Sequence, residues 1–283
     1  MRKYEAVIPE NQPDGKISLY LQHAFPLLPE HVIRDALKKR DVKVDGGRVS
    51  SDAWITRGAK VELFTAFEAQ LPIVYEDEHV IVIDKPSGLS ADDDLRGGMT
   101  VQTLLNDYAA GAFVPRSVHR LDNKTCGLMI LAKDDESEQC LLGAFKERLL
   151  DKRYTCVVRG TMRPKEDIRE AYLVKDAREA RVRIVTHQTP EAKPIKTGYR
   201  VLTEDGTTSR LEITLYTGRT HQIRAHMAFL AHPLVGDDVY GDRNFNRQMK
   251  TTRLMLCSSS MTLNAGGVLS YLDGKTFTAN VPF

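Results

Sequence analysis

The stretch from His119 to Lys133 constrains the fold more than any other part of the chain. It runs His119-Arg120-Leu121-Asp122-Asn123-Lys124-Thr125-Cys126-Gly127 through a polar turn, then Leu128-Met129-Ile130-Leu131-Ala132 as an apolar run stopped by Lys133. An uninterrupted apolar run of this length behind turn residues predicts a strand buried on both faces, so the fold must place material on each side of it. An Asp fixed at the mouth of such a strand, between an Arg and an Asn-Lys-Thr turn, stands where a reactive carboxylate can be held rigidly. Two readings of Asp122 are open here: that carboxylate, or one half of an Asx-type turn with Asn123.

A chain of 283 residues suggests a large catalytic body with an appended module. Apolar residues at 42% and charged residues at 28% give a globular rather than a disordered balance. The formal charge of +2 makes any affinity for nucleic acid a matter of local basic patches. Cys126, Cys140, Cys156 and Cys257 form no close pair of the redox or zinc type, and a reducing cytoplasm is the expected setting. No secretory signal is read at the N-terminus and no run of apolar residues is long enough for a membrane span.

A compact unit is expected from Lys16 to about Phe64, inside a module placed at residues 1–66. Val32, Ile33, Ala36 and Leu37 sit at helical spacing, with Arg34, Lys38 and Lys39 projecting from the other side. Short strands follow at Val42–Val44 and Val61–Phe64. Residues 31–60 hold eight Lys/Arg against four Asp/Glu, an excess of +4. Arg34, Lys38, Lys39, Arg40 and Lys43 could form a phosphate-binding surface, the alternative being a solvated helix face. Residues 67–72 read as a linker to a body at 73–283.

In that body Val80–Ile83 reads as a strand closed by the turn Asp84-Lys85-Pro86-Ser87-Gly88, and residues 91–98 as an exposed loop. Asp92, Asp93 and Asp94 lack the spacing of a calcium loop. Thr100 is placed to cap a helix carrying Val101, Leu104 and Leu105, and Asp134 or Asp135 to open one whose Leu141, Leu142, Phe145, Leu149 and Leu150 form a stripe. Strands are expected at 152–158, 169–174, 181–186, 196–203, 208–216 and 253–256. So many neighbouring strands with few helices between them predict an α+β fold, a central mainly antiparallel mixed sheet flanked by helices and loops. The stretch Gly218-Arg219-Thr220-His221-Gln222-Ile223-Arg224-Ala225-His226 reads as a helix capped by Thr220, with Arg219 and Arg224 suited to phosphate or carboxylate. His221, His226 and His232 lack a metal-ligand pattern, and no metal is expected.

Two resemblances organise these pieces. The helix, Lys38-Lys39-Arg40-Asp41-Val42-Lys43-Val44-Asp45-Gly46 and Arg57-Gly58-Ala59-Lys60-Val61-Glu62-Leu63 resemble the alpha-L RNA-binding module named after ribosomal protein S-four, departing from it at Asp45 and Ala59. From about Val74 to Leu263 the chain resembles the RluA-type pseudouridine synthases. The motifs are Asp84-Lys85-Pro86-Ser87-Gly88, His119-Arg120-Leu121-Asp122 with Thr125 and Gly127, Tyr154 after a basic pair, the Gly218–His226 stretch, and Gly236-Asp237 with Tyr240-Gly241. Cys126 and Cys257 stand where Ser and His are usual.

This resemblance implies isomerisation of uridine in RNA, without a cofactor, by breaking the N-glycosidic bond and rejoining the uracil through carbon 5. It implies Asp122 as the catalytic carboxylate, Arg224 as its ion-pair partner, and Tyr154 stacked on the uracil with a part in removing the carbon-5 proton. It also implies a uridine turned out of its stack, with Arg120, Arg219 and His221 contacting RNA. Large-subunit ribosomal RNA is the favoured substrate, transfer RNA the second, and monomer the default state. Two rivals were weighed. One is a thiol hydrolase with Cys126 as nucleophile and His119 as base; the other is a non-catalytic RNA-binding protein using the basic module alone.

Overall fold

In the computed structural model, residues 1–49, 53–92, 98–176 and 181–283 are described. The N-terminal unit comprises β1 (Arg2–Val7), α1 (Ile17–Ala24), α2 (Glu30–Lys38), β2 (Val42–Val44), β3 (Gly47–Val49) and β4 (Lys60–Thr65). Its strands form an antiparallel sheet in the order β1-β4-β2-β3. β1, α1 and β3 were not anticipated; β1 pairs along the whole of β4, so residues 2–7 belong to this unit. Helix α2 buries Ile33, Ala36 and Leu37, leaving Arg34, Lys38 and Lys39 exposed.

The body follows with β5 (Ile73–Glu76), β6 (Val80–Lys85), α3 (Val101–Ala109), β7 (Arg116–Ser117), β8 (Cys126–Ala132), α4 (Asp135–Lys146) and β9 (Asp151–Arg159). It continues with β10 (Glu166–Asp176), β11 (Arg181–Val185), β12 (Lys193–Glu204), β13 (Thr208–Leu215), α5 (Gln222–Phe229), α6 (Arg243–Gln248), β14 (Leu256–Thr262) and β15 (Thr276–Thr278). Its sheet has eleven strands in the order β11-β10-β12-β13-β9-β14-β8-β6-β5, with β15 on β14 and β7 on β8. Among the described residues β14 with β8 is the parallel pairing and the other ladders are antiparallel, so the fold is α+β with a mainly antiparallel sheet.

Strand β8 is buried at every position. Leu128, Ile130 and Ala132 face the core built with Leu141, Ala144, Leu269 and Leu272. Met129 and Leu131 face the other way, into a core shared with Val101, Leu105 and the N-terminal Ile17, Leu21 and Phe25. A strand filled on both faces is the setting in which an apolar run without alternation is stable.

Several local expectations need correction. Asp84 and Lys85 lie within β6 rather than in the turn, because Lys85 pairs with Gly127 of β8. Asp134 caps α4 through the Ser137 N–H, but Leu142 and Leu149 are 40% and 49% exposed, so the apolar stripe is narrower than its sequence spacing implies. The strand expected at Arg253–Leu256 begins at Leu256 and runs on to Thr262. Thr100 caps α3 as expected, in a capping box with Thr103. Asp93 and Asp94 of the anticipated acidic loop lie outside the described residues.

Candidate active site

β7 and β8 are antiparallel neighbours, so residues 118–125 form a closed loop at their end. The Thr125 N–H donates to the Asp122 carbonyl at 3.0 Å, closing the turn through the backbone and leaving the carboxylate outside it. Asn123 is not part of an Asx turn either. Its amide donates to the Gly88 carbonyl at 3.0 Å and to Ser90 Oγ at 2.9 Å, tying this loop to the segment after β6.

Lys85 tightens the same junction. Fully buried, its Nζ donates to the carbonyls of Leu89, Asn123 and Pro86 at 2.7, 3.0 and 3.1 Å. Burial pulls its pKa down to about 7, opposed by Cys126 and Asp122. Three carbonyl acceptors match the three N–H donors of the ammonium form, the state this geometry favours. Lys85 was legible only as a turn residue; a lysine interrupting the end of an otherwise apolar strand was the available signal.

The half-buried Asp122 carboxylate faces α5. Arg224 Nη1 lies 3.7 Å away and His221 Nε2 3.8 Å away, both on Oδ2. The helix is not capped by Thr220: His221 occupies the N-cap at φ 55°, and Gln222 organises the turn. The buried Gln222 accepts from the Arg219 N–H at 3.1 Å and from Thr217 Oγ1 at 2.9 Å, and donates to Thr197 Oγ1 at 3.0 Å. His221 Nδ1 meets the Tyr240 hydroxyl at 2.9 Å, and that oxygen also accepts the Val182 N–H. We assign the Tyr240 proton to Nδ1, which turns an Nε2–H toward Asp122. Burial lowers the His221 pKa, against the pull of Asp122, so the ring is neutral at pH 7.

Arg224 differs from expectation. Its shortest contacts are to Asp237, Nε to Oδ2 at 2.7 Å and Nη2 to Oδ1 at 2.9 Å, and Asp122 is a longer partner. Burial alone would raise the Asp237 carboxyl. The Arg224 hydrogen bonds and charge, with the Tyr240 and Val239 N–H groups, outweigh it and hold the carboxyl below its usual range.

Tyr154 stands on β9 in register with Ser258 of β14, which in turn is paired with Gly127 of β8. Burial, with the charges of Asp122 and Cys257 adding, pushes its phenol up to about 12. The nearby Ser258 hydroxyl pulls the other way, although it is buried and forms no hydrogen bond of normal geometry. Tyr154 therefore presents a protonated ring at neutral pH, suited to stacking and ill suited to act as a free base.

Arg120 and Arg219 are exposed beside this group. Arg34, Lys38, Lys39 and Arg40 are exposed on the N-terminal unit, while Lys43 lies 5.1 Å over the Phe64 ring. His226 meets Thr197 Oγ1 and His232 the Arg159 carbonyl, so the three histidines have separate partners. His119 Nε2 accepts the Ile130 N–H and its ring stacks on Phe145. Cys126 Sγ donates to the Leu256 carbonyl at 3.5 Å, deep between strands.

The arrangement is a carboxylate between a guanidinium and a neutral imidazole, with a buried phenol near it and cations at the rim. Residues 79–229 match the family model described as RNA pseudouridylate synthase. The chain belongs to the RNA pseudouridylate synthase family. It is 35% identical over 252 residues to "Ribosomal large subunit pseudouridine synthase D" of Escherichia coli O6:H1, covering 84% of this chain and 76% of the relative. It is 39% identical over 218 residues to the protein of the same name in Vibrio cholerae, covering 74% of this chain and 64% of the relative. Among solved structures, human RNA pseudouridylate synthase domain containing 4 matches with a TM-score of 0.61 at 21% identity, over 75% of this chain and 88% of that one. Human RNA pseudouridylate synthase domain containing 1 matches with a TM-score of 0.60 at 25% identity, over 75% of this chain and 89% of that one. This pseudouridine synthase is of the RluA type, as its motifs suggested. The thiol-hydrolase rival therefore falls.

Proposed function

We infer that this pseudouridine synthase isomerises specific uridines of large-subunit ribosomal RNA, with Asp122 as the catalytic carboxylate. The observation that carries the assignment is the Asp122 carboxylate itself, outside its own turn, half-buried, and faced by Arg224 and His221 on α5. The substrate class rests on the names of the two bacterial relatives.

An anionic carboxylate suits this reaction because positive character develops on the sugar as the glycosidic bond breaks. Arg224 keeps Asp122 ionised and directed. Tyr154 offers an aromatic face to a uracil turned out of the RNA stack, and its protonated phenol leaves removal of the carbon-5 proton to another acceptor. Arg120, Arg219 and His221 meet the vacated stack and the backbone. The N-terminal unit, read as an alpha-L module over residues 1–66 with 67–72 as its connection, adds an outer phosphate grip through Arg34, Lys38, Lys39, Arg40 and Lys43.

The test is pseudouridine mapping by carbodiimide-dependent reverse-transcription stops. RNA from cells lacking the protein is incubated with the native enzyme or with Asp122→Asn. New stops in large-subunit ribosomal RNA that vanish with Asp122→Asn are expected, the rate falling by at least about 10²-fold. Stops confined to transfer RNA would move the substrate and keep the chemistry. Stops that persist undiminished with Asp122→Asn would remove Asp122 from its role.

A further inference from the structure

Asp237 lies beyond the residues matched by the family model and is fully buried. Its Oδ1 accepts N–H groups from Val239 at 2.8 Å and Tyr240 at 3.0 Å, so the turn after Gly236 fixes the carboxylate before Arg224 meets it. Asn246 of α6 secures that turn from behind, donating to the Asp237 carbonyl and accepting the Gly236 N–H. Gly236 is required there, since it sits at φ 78° and a Cβ would run into the Arg253 carbonyl.

This fixed carboxylate takes two of the guanidinium's three nitrogens. Nε and Nη2 bond to Asp237, while Nη1 is left toward Asp122 at 3.7 Å, beyond hydrogen-bond length. The ring of Tyr240 lies 5.4 Å from the guanidinium carbon and supports the group from one side. Asp238, tied to Lys124 at 2.9 Å, approaches Nη2 only at 3.6 Å.

We propose that Asp237 is a positioning residue which holds Arg224 back from Asp122, so that the Asp122 carboxylate feels a positive charge without being locked into a direct ion pair. The proposal rests on the reading of Asp122 as the catalytic carboxylate. A carboxylate in a short bidentate pair with arginine is stabilised and oriented, and is correspondingly weakened as a nucleophile or base. Held at 3.7 Å and already shared with a buried anion, Arg224 acts on Asp122 as an attenuated charge.

The experiment is single-turnover pseudouridine formation by the full-length enzyme against pH, for the native protein and Asp237→Asn. The groups that face Asp122 are Arg224 and His221 from α5 and Lys85 from β6, with Tyr154 from β9 and Tyr240 near enough to feel its charge. Asp237, Asp238 and Lys124 lie behind them. Losing the Asp237 charge lets the guanidinium close on Asp122. The plateau rate is expected to fall at least about tenfold, and the acid limb to move down by about one pH unit. Partial misfolding would lower the plateau without moving the limb.

Asp237→Asn leaves Arg224 buried without its counter-charge, so a second comparison uses a pair with neither charge. Arg224→Gln with Asp237→Asn is expected to match Arg224→Gln alone in rate and acid limb, because nothing remains to be held back. A clear additional loss in the double variant would overturn the proposal. So would a folded Asp237→Asn enzyme with native plateau and limb, while an inactive Asp122→Asn would leave the reading of Asp122 standing. Activity retained in Asp122→Asn would remove that reading and this proposal with it.

Discussion

Cys126 is the residue whose chemistry most invites misreading. Its pKa is lowered to about 7, first by a hydrogen bond from Cys257, its partner across the β8–β14 ladder, with burial opposing. A thiol poised near neutrality beside a histidine in sequence resembles a nucleophile. Yet Cys126 is buried and directed at the Leu256 carbonyl, and His119 is engaged with Ile130 and Phe145. Access as well as acidity governs thiol reactivity, and here access is missing. Cys126→Ser is therefore expected to keep single-turnover activity within about tenfold, under about 1.4 kcal/mol of barrier. A loss of several orders of magnitude in a folded variant would return the thiol to consideration.

At the scale of elements, the site depends on three strands meeting closely. Gly127 sits at φ 107°, and a Cβ there would collide with the Ser258 backbone of β14, whose other neighbour is Tyr154 of β9. The absent side chain lets β8 and β14 approach and places Asp122, a few residues upstream, over the Tyr154 strand. Gly127→Ala is expected to destabilise the fold by at least about 1–3 kcal/mol, since both the left-handed backbone and the contact with backbone atoms oppose it. Thermal unfolding measures this directly, and an unchanged midpoint would show that the ladder can open without cost. The same junction marks the limit of what was legible in the sequence. Apolar run and alternation are local signals, so β6, β8, β9 and β10 to β13 could be read, and motif order brought Asp122, Tyr154 and Arg224 together. The parallel pairing of β8 with β14 joins segments about 130 residues apart and has no local mark. Arg224 with Asp237 is a similar case, for a carboxylate in a turn declares no partner until the turn is folded. The left-handed His221 displaced the expected Thr220 cap because Gln222 satisfies the donors of that turn from inside the protein.

Across the whole molecule, the N-terminal unit is packed onto the catalytic body rather than held at a distance. Phe25, Leu21 and Ile17 share one core with Leu89, Met99 and Leu131. The connection after β4 is strapped back, the Tyr4 hydroxyl donating to the Phe67 carbonyl and accepting the Ala69 N–H. The Met99 N–H donates to the Ala24 carbonyl at 2.8 Å, on the far side of the segment whose Gly88 and Ser90 hold Asn123 beside Asp122. Hydrogen bonds and packing thus run from the RNA-facing unit toward the catalytic loop, through a segment that both touch. Gly98 is the weak point of this contact, because it sits at φ 98° and a Cβ would come within 2.5 Å of the Ala24 carbonyl. Gly98→Ala is expected to push α1 away from the body, lowering the unfolding midpoint by about 2 to 4 °C for each kcal/mol lost. The catalytic consequence separates two roles for the unit. If it braces the loop, the single-turnover rate at saturating RNA falls in this variant, even on a minimal stem-loop. If it serves only as a phosphate grip, affinity for long RNA falls and the saturated rate stays native. The shared core and the bonds through Gly88, Ser90 and Asn123 lead us to expect the first result.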